Sequence, residues 1–121
     1  MNWMMVAVGG AAGSLLRYAL GLTLNVPSWP YGTWLANVLG SFLIGFFFVW
    51  GKEKAGISPE LYILLTTGMM GGFTTFSTFS LEVVTMTMQG NVLKAILYAT
   101  GSVIVGLLAA YAGVLAGRQV L

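Results

Sequence analysis

The chain has 121 residues, 58% of them hydrophobic and only 7% charged, with a net charge of +2. A water-facing domain carries roughly 25% charged residues, so a soluble enzyme is excluded. Disorder is excluded too, because it needs low hydrophobicity and high charge. The chain has no cysteine and no histidine, which removes disulfides, thiolate metal sites, thiol nucleophiles and the usual proton shuttle. The small charge and the lack of a basic patch predict no nucleic-acid partner. The membrane class remains, and a mean hydropathy of +0.90 fits it. A span takes ~20 apolar residues, so the chain is expected to be one all-α membrane domain of four spans, with no room for a catalytic domain outside the lipid.

The first apolar stretch covers residues 3–24, with Arg17 as its single charge. It lacks a basic leader, which predicts a retained span rather than a cleaved signal. Asn25, Pro27, Ser28, Pro30 and Gly32 then read as a turn. The second stretch, residues 34–50, holds no charge, and the polar connection after it contains Lys52, Glu53, Lys54 and Glu60. The third covers residues 61–88, the fourth residues 92–116, and Gln89-Gly90-Asn91 turns between them. Continuous apolar runs such as residues 42–50 lack the alternation of transmembrane strands.

Small residues recur four apart at Gly9/Gly13, Ser41/Gly45, Gly68/Gly72 and Gly113/Gly117. Such pairs let helix backbones approach in lipid, either inside one bundle or between subunits. Orientation is weakly specified. One side carries Lys52, Lys54 and Arg118, and the other Lys94 with or without Arg17. This near-balance predicts insertion both ways up and pairing of opposite copies. A single four-helix subunit also has a filled core, so a transport path is expected between subunits.

Polar groups inside a span are functional candidates. The third stretch contains Gly71-Gly72-Phe73-Thr74-Thr75-Phe76-Ser77-Thr78-Phe79-Ser80, a poor helix former. It predicts a break between residues 71 and 75. Open backbone at mid-membrane depth is tolerated only where it is buried or lines a cavity, and its free carbonyls can hold a cation. The bland alternative is an intact helix whose hydroxyls bond back to the preceding turn. Phe76 and Phe79 share a helical face, and a ring edge is electropositive. They are either packing residues or an attraction for a small anion. Thr33, Asn37 and Ser41 share a face of the second stretch. Asn37 either bonds a neighbouring helix or donates to an anion. Tyr98 and Ser102, with Lys94 one turn earlier, read as a hydroxyl track entered past a cation, or as a belt tyrosine beside an incidental serine. Arg17 and Glu82 are the charges well inside spans, and whether they pair is left open. No second acid, base or nucleophile accompanies either, so no enzyme is expected.

Three motifs carry a family resemblance: Gly9-Gly10-x-x-Gly13-x-x-x-Arg17, Gly32-Thr33-x-x-x-Asn37-x-x-Gly40-Ser41, and the run from Gly71 to Ser80 followed by Glu82. In length, span count and motif order the whole chain resembles the Fluc (CrcB) fluoride channels. The resemblance implies a passive fluoride channel of the bacterial inner membrane, built as a dual-topology antiparallel homodimer with two pores. It implies a structural sodium ion at the dimer centre, held by backbone carbonyls of Gly71 and Thr74. It places Phe76, Phe79, Asn37, Tyr98 and Ser102 along the fluoride path and Arg17 near its vestibule. Thr33 and Ser77 add hydroxyl donors, and Glu82 is a candidate structural charge. Family members often carry a further hydroxyl one turn beyond the serine. Here that position is Gly106, which shortens the track or leaves another group to complete it.

Two other classes compete with this reading. A proton-coupled exporter of small multidrug-resistance type is also short and four-helical. It needs an acid in its first span, where this chain has Arg17, and Glu82 lies far along the third. A non-transporting assembly subunit would leave the third-stretch motif unexplained.

Overall fold

A computed structural model describes all 121 residues. It is an all-α, multi-spanning fold with one small hairpin. Helix α1 (Asn2–Leu24) ends in paired strands β1 (Asn25–Val26) and β2 (Trp29–Pro30), antiparallel with Val26 opposite Trp29. The hairpin also starts the next helix. Asn25 Oδ1 accepts from the backbone N–H of Gly32 at 2.6 Å and of Thr33 at 3.3 Å, two donors that a helix N-terminus leaves unsatisfied. Helix α2 (Tyr31–Phe48) therefore begins three residues before the expected position. It continues through a π-helical turn, Val49–Glu53.

After the polar loop, Ser58 Oγ accepts from Leu61 N–H at 3.1 Å and Pro59 opens the first turn of α3 (Pro59–Ile63). A π-helical stretch, Leu64–Met70, and a last turn, α4 (Gly71–Phe73), complete the first half of the third stretch. Residues 74–76 leave the helix, and α5 (Ser77–Met88) resumes it. Gly90, at φ +84, supplies the left-handed turn into α6 (Val92–Val120). Three helices are long and apolar enough to cross a membrane: Asn2–Leu24, Tyr31–Glu53 and Val92–Val120. The third stretch is the one delivered in pieces.

Only 18 of the 121 residues are buried. The outward surface carries Leu15, Leu22, Ile104, Leu107 and Leu108, an apolar exterior suited to lipid rather than water. The small-residue pairs work inside the protomer. A side chain at Gly13 would run into Met69 O and Phe73 N, one at Gly72 into Gly10 O, and one at Gly113 into Phe42 O. Helix α1 thus lies against residues 64–73, and α2 against α6, at backbone distance.

Candidate functional site

The break sits slightly later than its glycines suggest. Gly71 keeps a right-handed helical conformation at φ −61 and ψ −39. Thr74 is the residue that turns extended, at φ −88 and ψ 156. Glycines 68 and 72 serve the approach to α1, whereas Thr74, Thr75 and Phe76 form the break. Thr74 Oγ1 donates back to Met70 O at 2.8 Å, and Thr78 N–H, in the first turn of α5, donates to Thr75 Oγ1 at 3.2 Å.

Asn37 of α2 holds the opened backbone. Thr75 N–H donates to Asn37 Oδ1 at 2.8 Å, and Asn37 Nδ2 donates to Thr75 O at 3.1 Å. A continuous helix would send that Thr75 N–H to Gly71 O. With it diverted, neither Gly71 O nor Thr74 O accepts a hydrogen bond within the protomer. Arg17 Nε donates to Gly72 O at 3.1 Å, so the first-helix cation also supports this turn.

Beside the break lies an open cavity of about 300 Å³, lined by Asn37, Ser41, Thr74, Thr75, Phe76, Phe79 and Ser102, with Gly40, Ile44, Met70 and Val103. It combines aromatic rings, amide and hydroxyl groups with apolar walls. Phe76 is 78% exposed and stands out of the protomer, 5.9 Å from the Phe79 ring between centroids. Ser41 Oγ is spent on Asn37 O at 2.7 Å. Ser102 Oγ is buried and has no hydrogen-bond partner, an unsatisfied state that ordinarily calls for one.

A second constellation adjoins it. Glu82 accepts from Thr33 Oγ1 through Oε2 and from Tyr98 Oη through Oε1, both at 2.8 Å. Tyr98 is buried, with its ring 5.2 Å from Phe79 on one side and edge-on to Trp29 at 5.1 Å on the other. Beyond Glu82 opens a smaller cavity of about 210 Å³.

The structure therefore gathers Asn37, Phe76, Phe79 and Ser102 at the first cavity. Thr33 and Tyr98 stand one step away and turn their hydroxyls to Glu82. Ser77 is exposed and lines neither cavity. Arg17 and Glu82, left open as a pair, do not meet. Thr75, whose backbone engages Asn37, was read from the sequence only as the end of the break, and Trp29, which braces Tyr98, was not singled out. A tryptophan between two prolines in a short turn was the available signal for the second.

Fold and site together define a polytopic membrane protein whose polar cavities flank an interrupted helix. Residues 4–114 match the family described as CrcB-like protein, Camphor Resistance (CrcB). The chain is 43% identical to a protein of Rhizobium meliloti, covering 91% of this chain and 90% of the relative. It is 45% identical to one of Hyphomonas neptunium (98% and 97%) and 42% identical to one of a Hydrogenobaculum species (89% and 90%). Each of these relatives is named a fluoride-specific ion channel, FluC. The chain belongs to the CrcB/FluC family. It is a channel-family protein and not an enzyme. Its membrane-length helices and bacterial relatives make it a multi-pass protein of the bacterial inner membrane.

Proposed function

We propose that the chain is a passive fluoride-selective channel that releases fluoride from the cytoplasm and so lowers its toxicity. The observation that carries this reading is the first cavity, where Asn37, the Phe76 and Phe79 rings and the unpartnered Ser102 hydroxyl converge. Fluoride is small and strongly hydrated. A path for it must replace water with donors while binding weakly enough to let it go. Ser102 Oγ–H has no competing acceptor, and Asn37 Nδ2 carries a second N–H besides the one given to Thr75. Ring edges add attraction without a formal charge. A larger halide would fit such a path poorly. At the Gly106 position the track continues without a hydroxyl, and Ser41 is the nearest side chain there.

The working unit in this proposal is an antiparallel, dual-topology homodimer of four-span subunits with two pores. The first cavity is open on the protomer's surface and Phe76 projects from it, so a second copy would complete the wall. A central sodium ion belongs to the same proposal. The unengaged carbonyls of Gly71 and Thr74 are hard oxygen ligands of the kind such an ion takes. When bound, it would neutralise converging carbonyl dipoles and hold two breaks together, a structural role.

The test is fluoride efflux from liposomes containing only the purified protein, followed with a fluoride electrode and with chloride as control. Fast, fluoride-selective efflux that needs no proton gradient is the expected result. Phe76→Ile and Phe79→Ile should each abolish it while the dimer still elutes normally. Intact flux in both variants would mean the pore lies elsewhere.

A further inference from the structure

The second cavity sets a lysine and a carboxylate together, a charge pattern that the first cavity lacks. It is lined by Lys94, Glu82, Gln89, Thr85, Asn25 and Trp29, among others. A septum separates it from the first cavity. Phe79 lines the first and packs on Tyr98 at 5.2 Å, Tyr98 donates to Glu82, and Glu82 lines the second.

Three of the five cations have partners: Arg17 on Gly72 O, Arg118 paired with Glu53, and Lys52 over the Tyr62 ring at 5.0 Å. Lys54 lies in the polar loop. Lys94, one turn into α6, has neither an ion-pair partner nor a hydrogen bond. An anion passing the septum faces the Glu82 carboxylate. A lysine in the same cavity offsets that repulsion and raises the local anion concentration, because a cleft with low-dielectric walls focuses its field.

From this geometry we infer that the second cavity is an anion-collecting mouth of the pathway and that Lys94 is the charge that serves it. The inference rests on the channel reading above. Lys94 acts at a distance on a mobile ion. Its effect is therefore large at low fluoride and low ionic strength and fades once the screening length falls below about 8 Å.

The chain has no cysteine, so K94C introduces the only thiol. The variant is labelled in detergent, where every copy is reachable, with a cationic trimethylammonium or an anionic sulfonate methanethiosulfonate reagent, and then reconstituted. Initial efflux at low fluoride is compared with the unmodified wild type. K94C and its sulfonate adduct should run slower by about 2- to 5-fold, and the trimethylammonium adduct should recover most of the wild-type rate. The differences should shrink in high concentrations of a salt with an impermeant anion. Equal rates for both adducts, with wild type conducting, would overturn the role of Lys94 and leave the channel reading intact. No fluoride efflux from wild type would overturn the channel reading itself, and this inference with it.

Discussion

Residues 64–73 and α5 flank the same break yet meet their neighbours in different ways. The earlier segment lies on α1 backbone to backbone. Gly9 and Gly13 face Leu64 O, Met69 and Phe73 N, while Gly68 and Gly72 face Gly9 and Gly10 in return. The later segment is held by side chains: Asn37 on Thr75, and Thr33 and Tyr98 on Glu82. Lipid offers no hydrophobic force between helices, so close packing and interhelical hydrogen bonds are the available means of association. The glycine contact leaves no room for a small guest. The hydrogen-bonded side leaves cavities and polar groups, which is where a hydrated ion can exchange water for protein. One half of the stretch is a frame and the other a lining.

The sharpest way to break this contrast is to add one methyl group to the frame. At Gly9 a new Cβ would collide with Leu64 O and lie 2.8 Å from Met69 N, and neither backbone atom can swing aside. At Gly10, the next residue, the nearest atom is Gly68 O at an ordinary 3.8 Å. Gly9→Ala should therefore cost about 1–3 kcal/mol or more through overpacking and remove the monodisperse peak on size-exclusion chromatography, whereas Gly10→Ala should purify like wild type. Similar behaviour of the two variants would show that the frame yields more than its geometry implies.

The next change strikes the lining. Asn37→Ala removes both bonds to Thr75 and leaves an N–H and a carbonyl unpaired beside the break. Two such bonds contribute about 2 kcal/mol together. If they also shape the conducting state, efflux falls roughly 30-fold with elution unchanged. Wild-type flux in a variant that elutes normally would separate Asn37 from the path.

How much of this was readable beforehand differs between the two halves. Run length alone exposed the apolar stretches, because a span must be ~20 residues long whatever its neighbours. The interruption was expected between residues 71 and 75; it falls on Thr74, Thr75 and Phe76, while Gly71 stays helical. Glycine signals both a helix breaker and a close approach, and only the position of α1 decides which. Asn37, Phe76, Phe79 and Ser102 stood out as polar or aromatic residues misplaced in a span. Their partners did not. That Asn37 would pair with a backbone 38 residues away, or that Thr33 and Tyr98 would share one carboxylate, depends on the helix packing. The π-helical turns left no trace in the hydrophobic pattern.

Tyr98→Phe sharpens the contrast at a gentler level. It deletes the hydroxyl that donates to Glu82 Oε1 while keeping the ring between Trp29 and Phe79. Interhelical hydrogen bonds in membranes average about 0.6 kcal/mol, so the thermal midpoint should move by only a few degrees. Flux should change more than stability does, because the hydroxyl lies in the septum between the two cavities and holds Glu82, which lines the second. An unchanged flux with a lowered midpoint would assign Tyr98 to the frame instead.

The smallest effect is expected outside both regions. Arg118 and Glu53 form a two-bond ion pair at 2.7 and 2.9 Å between the end of α6 and the turn after α2, with side chains 53% and 31% exposed. Exposed pairs gain little in water, since they order two long side chains and are screened by salt. Arg118→Gln should therefore leave both elution and flux at wild-type levels. What it changes is the charge balance across the lipid. In the proposed four-span arrangement Lys52, Lys54 and Arg118 oppose Lys94, with or without Arg17, and the substitution reduces the first group to Lys52 and Lys54. Orientation follows such counts near the span ends. A C-terminal reporter should thus move toward an even split between the two compartments, with flux unchanged. A reporter confined to one side, in wild type and variant alike, would overturn the antiparallel assembly and require the exposed face around Phe76 to be covered by a copy of the same orientation.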